Sequence, residues 1–200
     1  MNTLFQQCRY VLSAHQLRQL PTDKSVEVAF AGRSNAGKSS AINRICGQKS
    51  LAKTSRTPGR TQAINLFSVT ENKFIVDLPG YGYAKVGRDI KQRWHTLITE
   101  YITSRESLTG LMSIMDIRHP LQQQDWFLIE LAFSCPVPIH ILLTKCDKLS
   151  RNQQQKRLYA VASELEDNGI EVTLQLFSAL NGTGIDDAHT ILSDWFDIDQ

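Results

Sequence analysis

The residues of this chain best placed to do chemistry are Gly32-Arg33-Ser34-Asn35-Ala36-Gly37-Lys38-Ser39, which fit the spacing GxxxxGK[ST]. That spacing has a physical reason. Glycines let the backbone curl until successive N–H groups point at phosphate oxygens, the lysine reaches the β- and γ-phosphates, and the Ser39 hydroxyl is placed to ligate Mg²⁺. The context agrees: the apolar run VEVAF leads in, and KSSAINRICGQ, with helical character, leads out. The positive N-terminal end of that helix then faces the same anion.

Four further stretches fit a nucleotide. Asp77-Leu78-Pro79-Gly80 ends the apolar run FIVDLPG. A carboxylate there can hold Mg²⁺ through water, and the Gly80 N–H can meet a γ-phosphate, although D-x-P-G also suits a plain turn. The Thr-, Pro- and Gly-rich loop 51–62 offers Thr57 and Thr61, either of which can add a hydroxyl to the metal. Thr144-Lys145-Cys146-Asp147 follows another apolar run, IHILL. A carboxylate at Asp147 can accept hydrogen bonds from N1–H and the 2-amino group of guanine; adenine has neither donor, so an acceptor-only group rejects it. The Lys145 stem can lie across the base plane. A lone TKxD is a weak signal, but after a phosphate loop and a DxPG, in this order, it points to GTP rather than ATP. Phe177-Ser178-Ala179-Leu180 can then offer backbone N–H groups to guanine O6.

These residues need a scaffold that brings five loops together. Apolar runs and amphipathic stretches alternate along the chain. Strands are expected at 26–32, 64–70, 73–79, 110–117, 138–145 and 171–179, and helices at 38–48, 88–105, 121–134, 151–169 and 184–196. Runs such as MSIM and IHILL are apolar without a break, which marks burial on both faces, as in a parallel sheet covered by helices. Repetition of βα implies a doubly wound α/β domain with right-handed crossovers. The expected sheet has six strands, mostly parallel, with helices on both faces. Residues 25–198 make this domain, and residues 1–24 read as an extension with a helical turn or two stopped by Pro21.

Composition narrows the function classes. A chain of 200 residues with 42% hydrophobic content suits one globular domain. No apolar run approaches the roughly 20 residues of a membrane helix, and the first residues lack the organisation of a secretory signal. The expectation is a cytoplasmic monomer that binds neither membrane nor DNA. Cys8, Cys46, Cys135 and Cys146 form no CxxC, and the five histidines are scattered, so no metal cage built from side chains alone is expected. The net charge of +2 hides a polarity. Between Val28 and Thr70 there is no acidic residue, whereas Arg33, Lys38, Arg44, Lys49, Lys53, Arg56 and Arg60 all fall there. A second basic group, Lys85, Arg88, Lys91 and Arg93, follows DLPGYGYA, and beyond Arg157 the chain has no Lys or Arg. That asymmetry suggests an anionic partner for the first half.

Taken together, GRSNAGKS, TPGRTQ, DLPGYGYA, TKCD and FSAL resemble the translation-factor-related P-loop GTPases, and more closely the bacterial EngB family (also called YihA or YsxC). The resemblance runs from about residue 6 to residue 196 and includes MDIRHPL at 115–121. It implies a Ras-like G domain that hydrolyses GTP to GDP and phosphate. It further implies phosphate contacts from Gly32 to Ser39, a switch loop at Gly59, Arg60, Thr61, Gln62 and Ala63, and contacts of Asp77 to Gly80 at the γ-phosphate. Thr144 to Asp147 would hold the base, and Phe177, Ser178 and Ala179 would close the pocket. By the same resemblance Mg²⁺ is held by Ser39, Thr61 and Asp77, and hydrolysis involves Lys38, Thr61 and Gly80. Asn35 stands where some relatives of this class use an Asn to help coordinate K⁺. Tyr81 stands where many such GTPases have a water-orienting Gln, which implies slow unaided hydrolysis. The family's roles, assembly of the large ribosomal subunit and normal cell division and septation, imply the subunit or its precursor, through rRNA, as partner. Two other readings compete: a nucleotide-binding scaffold without significant hydrolysis, and a metabolic P-loop kinase, which leaves TKCD unexplained.

Overall fold

The computed structural model describes residues 3–21, 24–53, 63–82 and 87–198. Its elements are β1 (Arg9–Ala14), β2 (Val26–Gly32), α1 (Lys38–Ile45), β3 (Ile64–Thr70), β4 (Lys73–Asp77), α2 (Arg88–Ser104), β5 (Leu108–Asp116), α3 (Gln123–Phe133), β6 (Ile139–Thr144), α4 (Arg151–Asp167), β7 (Thr173–Leu176) and α5 (Ile185–Trp195). They form one seven-stranded sheet in the order β1-β3-β4-β2-β5-β6-β7. β1 and β3, and β3 and β4, pair antiparallel; the remaining neighbours are parallel.

The apolar runs explain the centre. All six residues of β6 are buried, as are six of the seven in β2. Two apolar layers cover the sheet. One takes Trp94, Ile98 and Tyr101 from α2, Leu128 and Ile129 from α3, and Val161 and Leu165 from α4. The other takes Ala41, Ile42 and Ile45 from α1, and Ala188 and Leu192 from α5. The doubly wound α/β architecture expected from the alternation is the one observed, and every crossover returns the chain to the same sheet edge of loops, where β2, β4, β5 and β6 end.

The strand count differs from expectation: seven, not six. The added strand is β1, inside the segment 1–24 that reads as an extension. Its burial is confined to one end, with only Ala14 buried and Leu12 half-buried, so it carries no clean period-2 signal. A register shift between Tyr10 and Leu12 breaks the alternation further. Phe5, just before it, is fully buried and stacks on His189 of α5 at 4.9 Å. Glu27 in β2 is also fully buried. It accepts hydrogen bonds from the Tyr101 hydroxyl at 2.8 Å and from Arg105 Nε at 3.0 Å, so the carboxylate is paired rather than stranded in the core. Among the described residues no helix is long and apolar enough to cross a membrane.

Candidate nucleotide-binding site

The loop 33–37 joins β2 to α1, and its shape is set by backbone demands. A Cβ on Gly32 would lie 2.6 Å from the Ile114 carbonyl oxygen on β5, so only glycine lets the two strands stay this close. Gly37, at the N-cap of α1, has φ +103°, and Asn35 has φ +64°. These left-handed residues turn the chain so that α1 starts at Lys38, with Ser39 in its first turn. The segment after β4 runs alongside. Ser34 N–H donates to the Tyr81 carbonyl at 2.6 Å, and Tyr81 N–H to the Gly32 carbonyl at 3.4 Å, so Gly80 sits against the loop. Leu78 is fully buried with its N–H on the Phe30 carbonyl, and the Pro79 carbonyl accepts from Trp94 Nε1 at 2.8 Å.

The charges of this half are few and mutually paired. The Lys38 ammonium forms an ion pair with the Asp77 carboxylate, both side chains being about nine-tenths buried. The other Asp77 oxygen accepts from Asn65 Nδ2 at 3.2 Å, and Asn65 Oδ1 accepts from the Ser13 hydroxyl at 2.6 Å. β3 and β1 thereby support the site through side chains. The sequence reading missed Asn65: one Asn in a strand carries no signal of its own.

The donor set fits a nucleotide with its metal. Among the described residues no three His, Cys, Asp or Glu cluster as a metal cage. Mg²⁺ beside phosphates needs only one or two protein oxygens, and Ser39 and Asp77 supply a hydroxyl and a carboxylate. Lys38 adds a largely buried cation suited to phosphate charge.

The base half is held by side chains. The Thr144 hydroxyl donates to the Ala36 carbonyl of the phosphate loop, with the Met115 carbonyl 3.0 Å away. Lys145, in the left-handed region at φ +60°, sends its ammonium to the Asn35 carbonyl and to Asp116 Oδ2, the latter at 3.0 Å. Burial pushes the Cys146 thiol upward, and its N–H donates to the Phe177 carbonyl at 3.2 Å. Phe177 is itself buried with its N–H on the Leu143 carbonyl, so the loop after β7 is fastened to the end of β6. The fully buried Ser178 is a hub. Its hydroxyl donates to Asp147 Oδ1 at 2.6 Å and accepts from the N–H groups of Leu180 and Asn181 at 3.2 and 3.3 Å. That hydrogen bond is the first cause holding Asp147 below the usual carboxylate range, against the opposing effect of burial; Lys148 helps. Asp147 is therefore an ionised acceptor at neutral pH, the state that guanine recognition needs. Ala179 follows Ser178 at the rim, beside Leu180, which is 74% exposed.

The structure thus brings the four motifs to one edge. Ala63, the one described residue of the switch loop Gly59 to Ala63, is buried beside β3. Gly59, Arg60, Thr61, Gln62 and the competing Thr57 lie outside the described residues. Tyr81 is buried and turned away from the loop: its hydroxyl donates to Asp125 Oδ1 on α3 at 2.7 Å, and its ring packs against Trp94 at 4.8 Å. Burial, then the neighbouring Asp125 charge, pushes its phenol well up, so it stays protonated.

Known proteins agree with this reading. The family model described as 50S ribosome-binding GTPase matches residues 27–145. A probable GTP-binding protein EngB of Coxiella burnetii (strain RSA 331 / Henzerling II) is 52% identical over 192 residues, covering 96% of this chain and 94% of the relative. One from Stenotrophomonas maltophilia (strain K279a) is 49% identical over 200 residues and covers both chains completely. Among solved structures, a probable GTP-binding protein engB superposes with a TM-score of 0.69 at 21% identity, covering 86% of this chain and 99% of that one, which bears on the fold alone. The chain belongs to the EngB family of GTP-binding proteins and is a GTPase.

Proposed function

We propose that this GTPase is a switch for large-subunit ribosome assembly, acting in the cytoplasm as a monomer and needed for normal division and septation. In this reading residues 25–198 carry the nucleotide chemistry, with 1–24 joining their sheet. The observation that carries the site assignment is the pair of bonds from Thr144 and Lys145 to the carbonyls of Ala36 and Asn35. They make the phosphate half and the base half one cleft of fixed length, matched to a nucleotide rather than to two separate ligands.

The residues then divide the work. The N–H groups of the loop Arg33 to Ser39 cradle the β-phosphate, and Lys38 turns from Asp77 to the β- and γ-oxygens, where it stabilises charge developing in the transition state. Ser39, Asp77 and Thr61 are the residues that would hold Mg²⁺, which when bound would supply positive charge against the phosphates. Gly80 N–H meets the γ-phosphate. Asp147 takes the edge of guanine. Tyr81 is engaged by Asp125, so no side chain at that position orients the attacking water, and unaided hydrolysis is slow. Asn35 is the residue that would admit K⁺ beside the phosphates.

The ribosomal partner rests on family membership and on charge. Lys49, Lys53, Lys91 and Arg93 are exposed on or beside the two segments that should respond to the γ-phosphate. The chain shows no base-reading motif, so rRNA would be met through shape and backbone, with strong salt dependence. Co-sedimentation with large subunits or their precursors tests this. We expect more binding with a non-hydrolysable GTP analogue than with GDP, less at high salt, and loss in a Lys53→Glu/Lys91→Glu/Arg93→Glu variant. Binding indifferent to nucleotide, salt and charge reversal would refute the switch. Single-turnover hydrolysis with and without subunits, in KCl against NaCl at matched ionic strength, reads the slow intrinsic rate and the K⁺ dependence; equal rates in both salts would remove K⁺.

A further inference from the structure

One group near the cleft has no part in the reading so far. β5 ends at Asp116, the one charged residue of the strand, with its side chain 12% exposed. Arg118, two residues on, grips it with both ends of its guanidinium, Nε to Oδ1 at 2.9 Å and the terminal nitrogen to Oδ2 at 2.6 Å, and its own N–H adds a third bond to Oδ1 at 3.1 Å. Oδ2 also takes the ammonium of Lys145 at 3.0 Å. Lys145 thus has two anchors, the Asn35 carbonyl and Asp116, and its Cε lies 3.8 Å from the position a Cβ on Gly37 would take. A lysine stem has four rotatable bonds and loses much freedom when fixed. Burial opposes ionisation of Asp116, but the bonds from Arg118 and Lys145 outweigh it and keep the carboxylate charged.

We infer that Asp116, braced by Arg118, is a positioning residue for nucleotide binding: it holds the Lys145 stem stretched along the cleft, where the plane of the base lies. This rests on the assignment of the base to residues 144–147. It separates two kinds of contact. Asp147 meets the edge of the base and senses the 2-amino group, whereas Lys145 meets the face and is blind to it.

The test is equilibrium binding of GDP and IDP, which lacks the 2-amino group, to the full chain and its Asp116→Asn, Arg118→Met and Lys145→Met variants, with thermal melting as a folding control. Loss of one charge-assisted anchor should weaken GDP about tenfold in Asp116→Asn. IDP should weaken by the same factor, leaving the GDP:IDP ratio at its wild-type value, and Asp116→Asn/Lys145→Met should bind no worse than Lys145→Met alone. Arg118→Met, whose side chain is 44% exposed, should bind about threefold more weakly, since a single exposed ion pair contributes little. It serves if Asp116→Asn does not fold. Wild-type affinity in Asp116→Asn and Arg118→Met, a changed GDP:IDP ratio, or losses that multiply in the double variant would each overturn the inference. If Lys145→Met itself binds GDP normally, the assignment of the base falls too; if it binds weakly while the Asp116 and Arg118 variants do not, only the inference falls.

Discussion

The two ends of the cleft are built in different ways. The phosphate end is a backbone device. Gly32 sits where a Cβ would strike β5, Asn35 and Gly37 hold left-handed turns, and main-chain bonds run from Ser34 N–H to the Tyr81 carbonyl and from Tyr81 N–H to the Gly32 carbonyl. One ion pair, Lys38 with Asp77, supplies the charge. The base end is a side-chain device. Asp147 leans on Ser178, Lys145 on Asp116, Asp116 on Arg118, and Thr144 on the phosphate loop. The difference follows the ligands. Phosphate is the same in every nucleotide and is met by many weak, identical donors, so main-chain N–H groups suffice. A base is distinguished by the placement of two or three polar atoms, which groups held in fixed positions can read.

Charge at the phosphate end is the place to strike hardest. Lys38→Ala should lower affinity for GDP and GTP together by about 100-fold or more, because it removes the ammonium that sits with Asp77 at the phosphate end. The ratio between guanine and other nucleotides should not move. A fluorescent GDP titration with ATP and ITP competitors reads both quantities, and a change in base preference would contradict the division between the two ends. Asp77 would keep only Asn65 as a partner, so a loss of about 1–3 kcal/mol in stability should accompany the change.

At the base end the opposite pattern is expected. Asp147→Asn should cost GDP about 2–3 kcal/mol, from the unmatched donors left at the base edge. Affinity for XDP should rise, because xanthine presents an acceptor where guanine has its amino group. Phosphate contacts stay intact, so the product of the two shifts, a reversal of preference, is the signature. Competition of GDP and XDP for one labelled analogue measures it, and equal loss of both nucleotides would mean that Asp147 shapes the loop rather than reading the base.

The same contrast explains what was legible in the amino-acid sequence. A backbone device needs particular residue types at fixed spacing, so GRSNAGKS and DLPG announce themselves. β6 was legible because IHILL is buried on both faces, and α4 because its helical run over 151–169 closes on Gly169, which takes a left-handed φ of +70°. A side-chain device draws on residues far apart in the chain. Asp116 lies 29 residues before the Lys145 it holds and Ser178 lies 31 residues after Asp147, in no regular pattern, and Asn65 reaches Asp77 across a strand pair. MDIRHPL was visible only as part of a family likeness, not as a brace. β1 was missed for a different reason: an edge strand buries too little to impose a period. The serine in FSAL was legible as a neighbour of guanine O6 through its backbone, whereas its hydroxyl acts on Asp147.

That hydroxyl offers the finest cut between the two ends. Ser178→Ala removes the first cause of the depressed Asp147 pKa while leaving its carboxylate, its ion pair with Lys148 and the phosphate end untouched. Two effects should follow. GDP affinity at neutral pH should drop by roughly fivefold, about 1 kcal/mol, because Asp147 is less firmly aimed and the N–H groups of Leu180 and Asn181 lose their acceptor. The pH dependence should also move. In its proposed role Asp147 would meet guanine as a carboxylate, and its pKa in the folded chain lies below the ordinary value, so wild-type affinity should persist as the pH falls and be lost only on passing through that lowered value. Without the Ser178 hydrogen bond the pKa rises, and the loss begins at higher pH. GDP titrations from neutral to mildly acidic pH, kept within the range where circular dichroism shows both proteins folded, measure the offset. An unchanged profile with fivefold weaker binding would leave Ser178 as a support for the loop alone; a profile displaced toward acid would contradict the role of its hydroxyl on Asp147.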